Sequence, residues 1–185
     1  MSLFEFVTVM VSMILALCLG QLLRSASFLT KTDQQVRGYL PHTLWSVVVL
    51  VSVINHWWSL WDLRDIDWSY ASFIYILAAP VLITFATGLL SPNRSNTGPI
   101  DLQAHYSRVR RSFSPVFMLY GIFMWFDGPL FTEQEVLGPV GIMHIPIIAA
   151  SVVPAISGES RLNVGAAGVI ISVLLVVIVL RYSAA

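Results

Sequence analysis

The sequence predicts an all-α integral membrane protein, a bundle of six transmembrane helices with both termini outside. The first observation is composition: of 185 residues, 57% are hydrophobic and only 11% charged, with a mean hydropathy of +0.79. A soluble domain of this length needs far more charge to cover its surface. The second is that six segments approach the roughly 20 apolar residues that a spanning helix requires. The third is the uneven distribution of basic residues among the connections, which indicates orientation.

Polar or proline-containing connections separate the six apolar segments. The first segment starts almost at Met1, but no Lys or Arg precedes it, so we interpret it as a retained helix and not as a signal peptide. The fifth is short and contains Pro146 and Pro154, which predicts a kinked or partly unwound helix. The predicted spans are about 3–23, 41–61, 69–90, 112–131, 138–156 and 163–180.

Lys and Arg are concentrated in alternate connections. If the N-terminus is outside, segments 24–40, 91–111 and 157–162 are cytoplasmic and hold eight of the ten Lys and Arg. Acidic residues and five of the six tryptophans fall mainly near the outer ends of the helices. The positive-inside rule therefore predicts that both termini are outside. The eight basic residues are Arg24, Lys31, Arg37, Arg94, Arg108, Arg110, Arg111 and Arg161.

The longest connection, from Ser91 to Arg111, opens with turn residues and then predicts an amphipathic or juxtamembrane cytoplasmic helix at about 100–111. Asp101 is placed to cap the start of this helix. The basic residues Arg108, Arg110 and Arg111 then approach the lipid headgroups. Because a juxtamembrane basic residue attracts anionic lipid by about 1 kcal/mol, we expect anionic lipids as partners at the cytoplasmic face.

Five polar residues near the outer ends of the helices form a candidate site. His56 and His144 each lie about five residues inside the outer boundary, ~7–8 Å deep at about 1.5 Å per residue. Asn55 adjoins this level, and Glu5 and Asp127 lie nearer the surface. Because ionisable groups are costly inside a membrane, they predict an outward-facing polar pocket on an ion or ligand pathway. The alternative is that the histidines only form hydrogen bonds between helices or to water.

The spacing of the histidines allows a second hypothesis, which is haem binding. His56 and His144 at equal depth could hold a b-haem, as axial histidine pairs do in helical bundles. A second, less favoured pair is His42 with His105. The protein would then be an electron-transfer or anchoring subunit of a membrane complex, whereas the first hypothesis is a small channel or transport component, or a membrane sensor. In either case we expect a homo-oligomer or a larger complex.

Several classes are excluded or disfavoured. The sequence has no basic-aromatic segment typical of nucleic-acid binding. One cysteine, Cys18, cannot form an intramolecular disulfide or a cysteine metal site. The only lysine, Lys31, lies in a connection, so a retinal Schiff base is excluded. Without an HExxH, GxSxG or P-loop motif, the sequence favours a non-enzymatic protein and predicts no catalytic residue.

Two segments of the sequence resemble a known group of proteins. The stretch LWSVVVLVSVINHWWSLWDLRD, followed by DLQAHYSRVRRSF, resembles a group of small, uncharacterised bacterial polytopic inner-membrane proteins. In that group a tryptophan-rich end of the second helix precedes a basic His-Tyr segment before the fourth helix. The resemblance covers roughly the first two thirds of the chain and implies a bacterial inner-membrane location, with no activity or site residue.

Overall fold

The computed structural model describes residues 2–31, 35–92, 99–132 and 134–182, and nearly all of them are helical. This confirms the all-α class. Arg94, one of the residues predicted to be cytoplasmic, lies outside the described residues. The helices are α1 Leu3–Lys31, α2 Leu40–Ser59, α3 Tyr70–Leu90, α4 Leu102–Phe131, α5 His144–Ile156 and α6 Ser160–Tyr182.

Side-chain caps mark the start of three helices, α1, α3 and α4. At α1, Ser2 and Glu5 form a capping box: the Ser2 backbone N–H donates to Glu5 Oε2 (2.9 Å), and the Glu5 N–H donates to Ser2 Oγ (3.2 Å). Ser69 and Ser72 exchange the same pair of bonds at α3. At α4, Asp101 Oδ1 accepts from the Ala104 N–H (2.9 Å), as the sequence suggests.

Two helices differ from the segments that hydropathy defines. Helix α1 continues past the predicted end at residue 23 as far as Lys31. The residues after position 23 are more polar, but they are still compatible with a helix, so the helix extends beyond the apolar segment. Helix α4 is one 30-residue helix that joins the predicted segments 100–111 and 112–131. Hydropathy changes where such a helix leaves the apolar layer, but the backbone hydrogen bonds do not stop there.

Four helices in the described part of the chain are long and apolar enough to cross a membrane: α1, α2 with the 3-10 turn that follows it (Leu40–Leu63), α3, and α6 over Ser160–Val179. Helix α5 with its preceding turn, Gly141–Ile156, is apolar but shorter. Helix α4 is long, but its first half carries three arginines.

The helices form a closed ring in the order α1, α3, α4, α5, α6, α2, in which α2 also contacts α3 and α4. Helices α1, α3 and α5 finish at the end where α2, α4 and α6 begin. We call this the basic end, because Arg24, Lys31, Arg108, Arg110 and Arg111 lie there. The opposite end, which carries Glu5, Asp62, Asp65 and Asp67, is the acidic end.

Aromatic side chains fill the space between α2 and α4. Trp45 is fully buried and makes edge contacts with Phe113 (5.3 Å between ring centroids) and Phe117 (5.7 Å). Tyr120 continues this stack toward the acidic end. Edge-to-face and offset arrangements are the favoured geometries for aromatic pairs. Packed aromatic rings therefore fill the space between these two helices.

Two short strands join connections at the basic end. Strand β1 (Val36–Arg37) pairs in parallel with β2 (Ile100–Asp101), and the Ile100 N–H donates to the Gln35 carbonyl at 2.9 Å. The pairing holds the residues that precede α2 beside those that precede α4. It also places Asp101 where it caps α4.

Candidate functional sites at the two ends of the bundle

A small cavity at the acidic end brings together two residues of the predicted polar pocket. Asn55 of α2 and His144 of α5 both line it, with Gln134 and Glu135 from the connection after α4. Its volume is about 30 Å³, which is enough for one or two waters. Asn55 Oδ1 is buried and has no hydrogen-bond partner among the described residues. The cavity can therefore bind a water-sized polar species.

The connection from Gln134 to Met143 closes this cavity. Trp125 Nε1 donates to the Val136 carbonyl at 3.0 Å, and His144 Nδ1 donates to the Val140 carbonyl at 3.2 Å. A Cβ atom at Gly141 would collide with the Val136 carbonyl, so the close fit requires glycine here. These contacts place His144 at the base of a compact loop at the acidic end.

His56 lies at a separate position. It is 2% exposed, and its ring stacks on Tyr120 with 5.9 Å between centroids and a 21° interplanar angle. The Tyr120 hydroxyl donates to the Ser52 carbonyl at 3.3 Å. His56 Nδ1 has no hydrogen-bond partner in the described part of the chain. His56 does not line the cavity of His144, so the structure does not bring these two histidines into one site.

The two predicted carboxylates also lie outside the cavity lining. Glu5 is exposed and caps the first turn of α1. The S-x-x-E spacing that indicates this role is readable in the sequence, but the sequence prediction placed Glu5 in the pocket. Asp127 is half-buried on α4, within electrostatic range of Tyr75 and Tyr120. Of the five predicted pocket residues, the cavity at the acidic end therefore brings together Asn55 and His144.

The basic end brings together His42 and His105, the less favoured haem pair. Both Nε2–H groups donate to one acceptor, the Leu90 carbonyl at the end of α3, at 2.9 Å and 3.0 Å. The two rings are in edge contact, 5.9 Å between centroids. A haem needs both Nε2 lone pairs directed at an iron and a macrocycle between the rings. This arrangement instead satisfies a helix-terminal carbonyl.

Arg110, predicted at the lipid headgroups, is half-buried and turned toward α5. Its guanidinium donates to the carbonyls of Pro154 and Ala155 in the last turn of that helix. Cations are favoured at the negative end of a helix dipole, and here the contact is also a hydrogen bond. Arg108 and Arg111 remain exposed, so the expected contact with anionic lipid rests on these two residues.

Tyr106 and Asn163 form a buried hydrogen-bond network that the sequence did not reveal. The Tyr106 hydroxyl donates to Asn163 Oδ1 at 2.7 Å, while Asn163 Nδ2 donates to the carbonyls of Ser157 and Glu159. Asn163 is completely buried. In the sequence, a polar residue at the start of a long apolar helix is the sign that could have indicated this network. Burial raises the pKa of Tyr106 above its ordinary range. The phenol therefore remains a hydrogen-bond donor.

His105 is one of two histidines at this end, and it lies on the juxtamembrane part of α4. Burial lowers its pKa below the ordinary value of 6.5; the hydrogen bonds to the Leu90 and Leu89 carbonyls oppose the shift, and the charge of Arg108 adds to it. Among the described residues, no three His, Cys, Asp or Glu side chains come together as metal ligands.

The fold defines an all-helical bundle in which four helices of the described part are long and apolar enough to cross a membrane. It has a water-sized polar cavity at its acidic end and a layer of helix-capping side chains at its basic end. Comparison with known protein families, with curated proteins and with solved structures finds no match.

Proposed function

We propose that the protein is a non-enzymatic, multi-pass membrane protein that works as a sensor or as a transport component, with Asn55 and His144 as its outer site. The observation that carries this proposal is the cavity of about 30 Å³ that both residues line beneath the loop of residues 134–143, which is the outer loop in the proposed topology. Histidine is the side chain whose ordinary pKa lies between pH 5 and 8, so a histidine in a polar cavity is suited to a switch that reads the external proton concentration.

The proposed topology has six spans, with both termini outside and the basic end in the cytoplasm of a bacterium. Arg108 and Arg111 then contact anionic lipid, and the chain assembles as a homo-oligomer or with partner proteins. The resemblance of residues 44–65 and 101–113 to small bacterial inner-membrane proteins supports this location. A reporter fused after Ala185 would then score as external.

A sensor is favoured over a permanently open channel. The rings of Trp45, Phe113 and Phe117 occupy the space between α2 and α4, and the outer cavity has room for one or two waters only. Haem binding has less support, because His42 and His105 both donate to Leu90 and His56 does not line the cavity of His144.

The test places a fluorophore on the outer loop. Leu137 is exposed, so Leu137→Cys in a Cys18→Ala background accepts the label without disturbing the cavity. In liposomes, the label's emission should change between external pH 8 and pH 5, because protonation of His144 alters the base of the loop. The same samples, loaded with a pH-sensitive dye, report whether protons cross, which separates transport from sensing.

His144→Phe should abolish the response, and Glu5→Gln is the matched control because Glu5 is a carboxylate at the same end that does not line the cavity. A response that survives in His144→Phe, or one that disappears equally in Glu5→Gln, would contradict the assignment of the outer site.

A further inference from the structure

The connection between α4 and α5, residues 134–143, exposes apolar side chains at the acidic end. Val136, Leu137 and Ile142 are 39%, 64% and 49% exposed. The polar residues Gln134 and Glu135 come first in the connection and line the cavity at the acidic end. Exposed apolar side chains that lie together mark a surface that contacts a membrane or another protein. The depth of the connection in the bundle indicates which of the two it contacts.

Contacts between α4 and α5 define the depth at which α5 begins. A Cβ atom at Gly121 of α4 would contact Ile147 and Ile148, so these residues lie at one level. From Gly121, α4 continues for ten residues to Phe131, ~15 Å at about 1.5 Å per residue. Helix α5 starts only three residues before Ile147, at His144. Helix α5 therefore begins about 10 Å below the end of α4.

The connection descends beside α4 to bridge this difference. The side chain of Gln134 lies against Gly128, where an added Cβ atom would meet it, and Trp125 Nε1 donates to the Val136 carbonyl at 3.0 Å. Gly128 and Trp125 come three and six residues before Phe131, so their backbones lie ~5 Å and ~9 Å below the end of α4. The connection therefore folds back along the last turns of α4 and does not project beyond them.

The basic residues relate the end of α4 to a membrane. Arg111 is exposed at headgroup level in the proposed topology, and Phe131 follows it by twenty residues, or ~30 Å. A hydrocarbon core is also roughly 30 Å thick, so α4 ends at the opposite boundary and the connection lies on its hydrocarbon side. The exposed rings of Trp58 and Trp61, which prefer headgroup level, lie beyond Asn55, and Asn55 lines the same cavity as the connection.

Backbone groups of the connection have partners within the protein. The Gly138 N–H donates to the Glu135 carbonyl at 3.1 Å, and the Ile142 N–H donates to the Gly138 carbonyl at 3.0 Å. The carbonyls of Val136 and Val140 accept hydrogen bonds from side chains of α4 and α5. Irregular backbone at membrane depth needs such partners, because lipid tails offer none. The connection is therefore suited to contact lipid through its side chains.

We propose that residues 134–143 insert into the bilayer where the headgroups meet the acyl chains, with Val136, Leu137 and Ile142 against lipid. This placement rests on the proposed topology, in which α4 and α5 cross the membrane, but it does not require His144 to sense protons. The cavity at the acidic end then has a lipid-bound wall, through which the composition of the bilayer acts on the site.

The test places an environment-sensitive fluorophore on single cysteines in a Cys18→Ala background, with the protein in nanodiscs. Leu137→Cys and Ile142→Cys report on the connection. Asp67→Cys, exposed at the same end, is the water-facing control, and Met13→Cys, exposed near the middle of the predicted first span, is the lipid-facing control. Each label is quenched in turn by aqueous iodide and by lipids with a nitroxide near the top or near the end of the acyl chain.

Iodide should quench the labels at Leu137 and Ile142 several-fold less than the label at Asp67. The nitroxide near the headgroup should quench them more strongly than the nitroxide near the chain end, with the reverse order at Met13. Insertion found without any pH response would support this inference and contradict the proposed sensor.

Iodide quenching at Leu137 and Ile142 equal to that at Asp67 overturns the inference, even where the pH response is present. Protection from iodide without nitroxide quenching also overturns it, because protein, such as a second copy of the chain, then covers the surface. Strong iodide quenching at Met13 would overturn the inference together with the topology.

Discussion

Arg110 has a role that its neighbours in sequence do not share. It donates to the last-turn carbonyls of α5, whereas Arg111 is exposed. We expect Arg110→Ala to lower the free energy of unfolding by about 1–3 kcal/mol, because two part-buried carbonyls lose a charged donor. Thermal unfolding in detergent measures this, with Arg111→Ala as the control. Equal effects of the two substitutions would show that the charge matters and the cap does not.

The positions of single residues were only partly predictable. The depth of His56 and His144 follows from counting along each helix, but the side of the helix that each residue faces depends on how the helices pack. His56 therefore stacks on Tyr120 while His144 lines a cavity with Asn55. His42 and His105 do meet, but at a backbone carbonyl that no sequence pattern identifies.

The first turns of α4 connect several helices at the basic end. His105 bonds to α3, Tyr106 to α6, and Arg110 to α5. The sequence prediction divided α4 into two segments at this point, because hydropathy shows which residues are apolar and does not show where a helix ends. The sequence therefore predicted the helix itself, but not its bonds to three other helices.

A double-mutant cycle tests the bond between α4 and α6. Tyr106→Phe leaves buried Asn163 Oδ1 without its donor, and Asn163→Leu removes three hydrogen bonds. Each single variant should lose about 1–3 kcal/mol of unfolding free energy. The coupling between them should lie within about 0.5–3 kcal/mol. Strictly additive losses would mean that the two side chains act separately. Tyr39→Phe, on the half-buried aromatic neighbour of Tyr106, is the control.

The stability of the whole molecule should depend on pH through His105. Its pKa is lower in the folded protein than the ordinary 6.5, so below about pH 6.5 the unfolded chain binds more protons. Stability is therefore full above that value and falls as the pH drops toward the folded pKa. We expect the Tm to decrease between pH 8 and pH 5, and His105→Gln, which keeps a donor for Leu90 but does not titrate, should reduce the decrease. Parallel curves for the two proteins would assign the pH dependence to other groups.

At the scale of the whole molecule, composition and hydropathy were sufficient to predict an all-α membrane protein. The ring order of the helices was not predictable, because nearly every apolar helix face can pack against any other. For the same reason, the sequence could not define which of the candidate residues share one pocket. Five residues at similar depth were candidates, and packing brought Asn55 and His144 into one cavity.

The Leu90 carbonyl is a backbone atom, and two histidines from different helices bond to it. No substitution of Leu90 deletes this acceptor, and loss of either histidine leaves the other in place. A survey of single substitutions would therefore find His42 and His105 individually tolerant. Only the combined variant would leave the Leu90 carbonyl without a histidine donor, so the two histidines act redundantly at this junction.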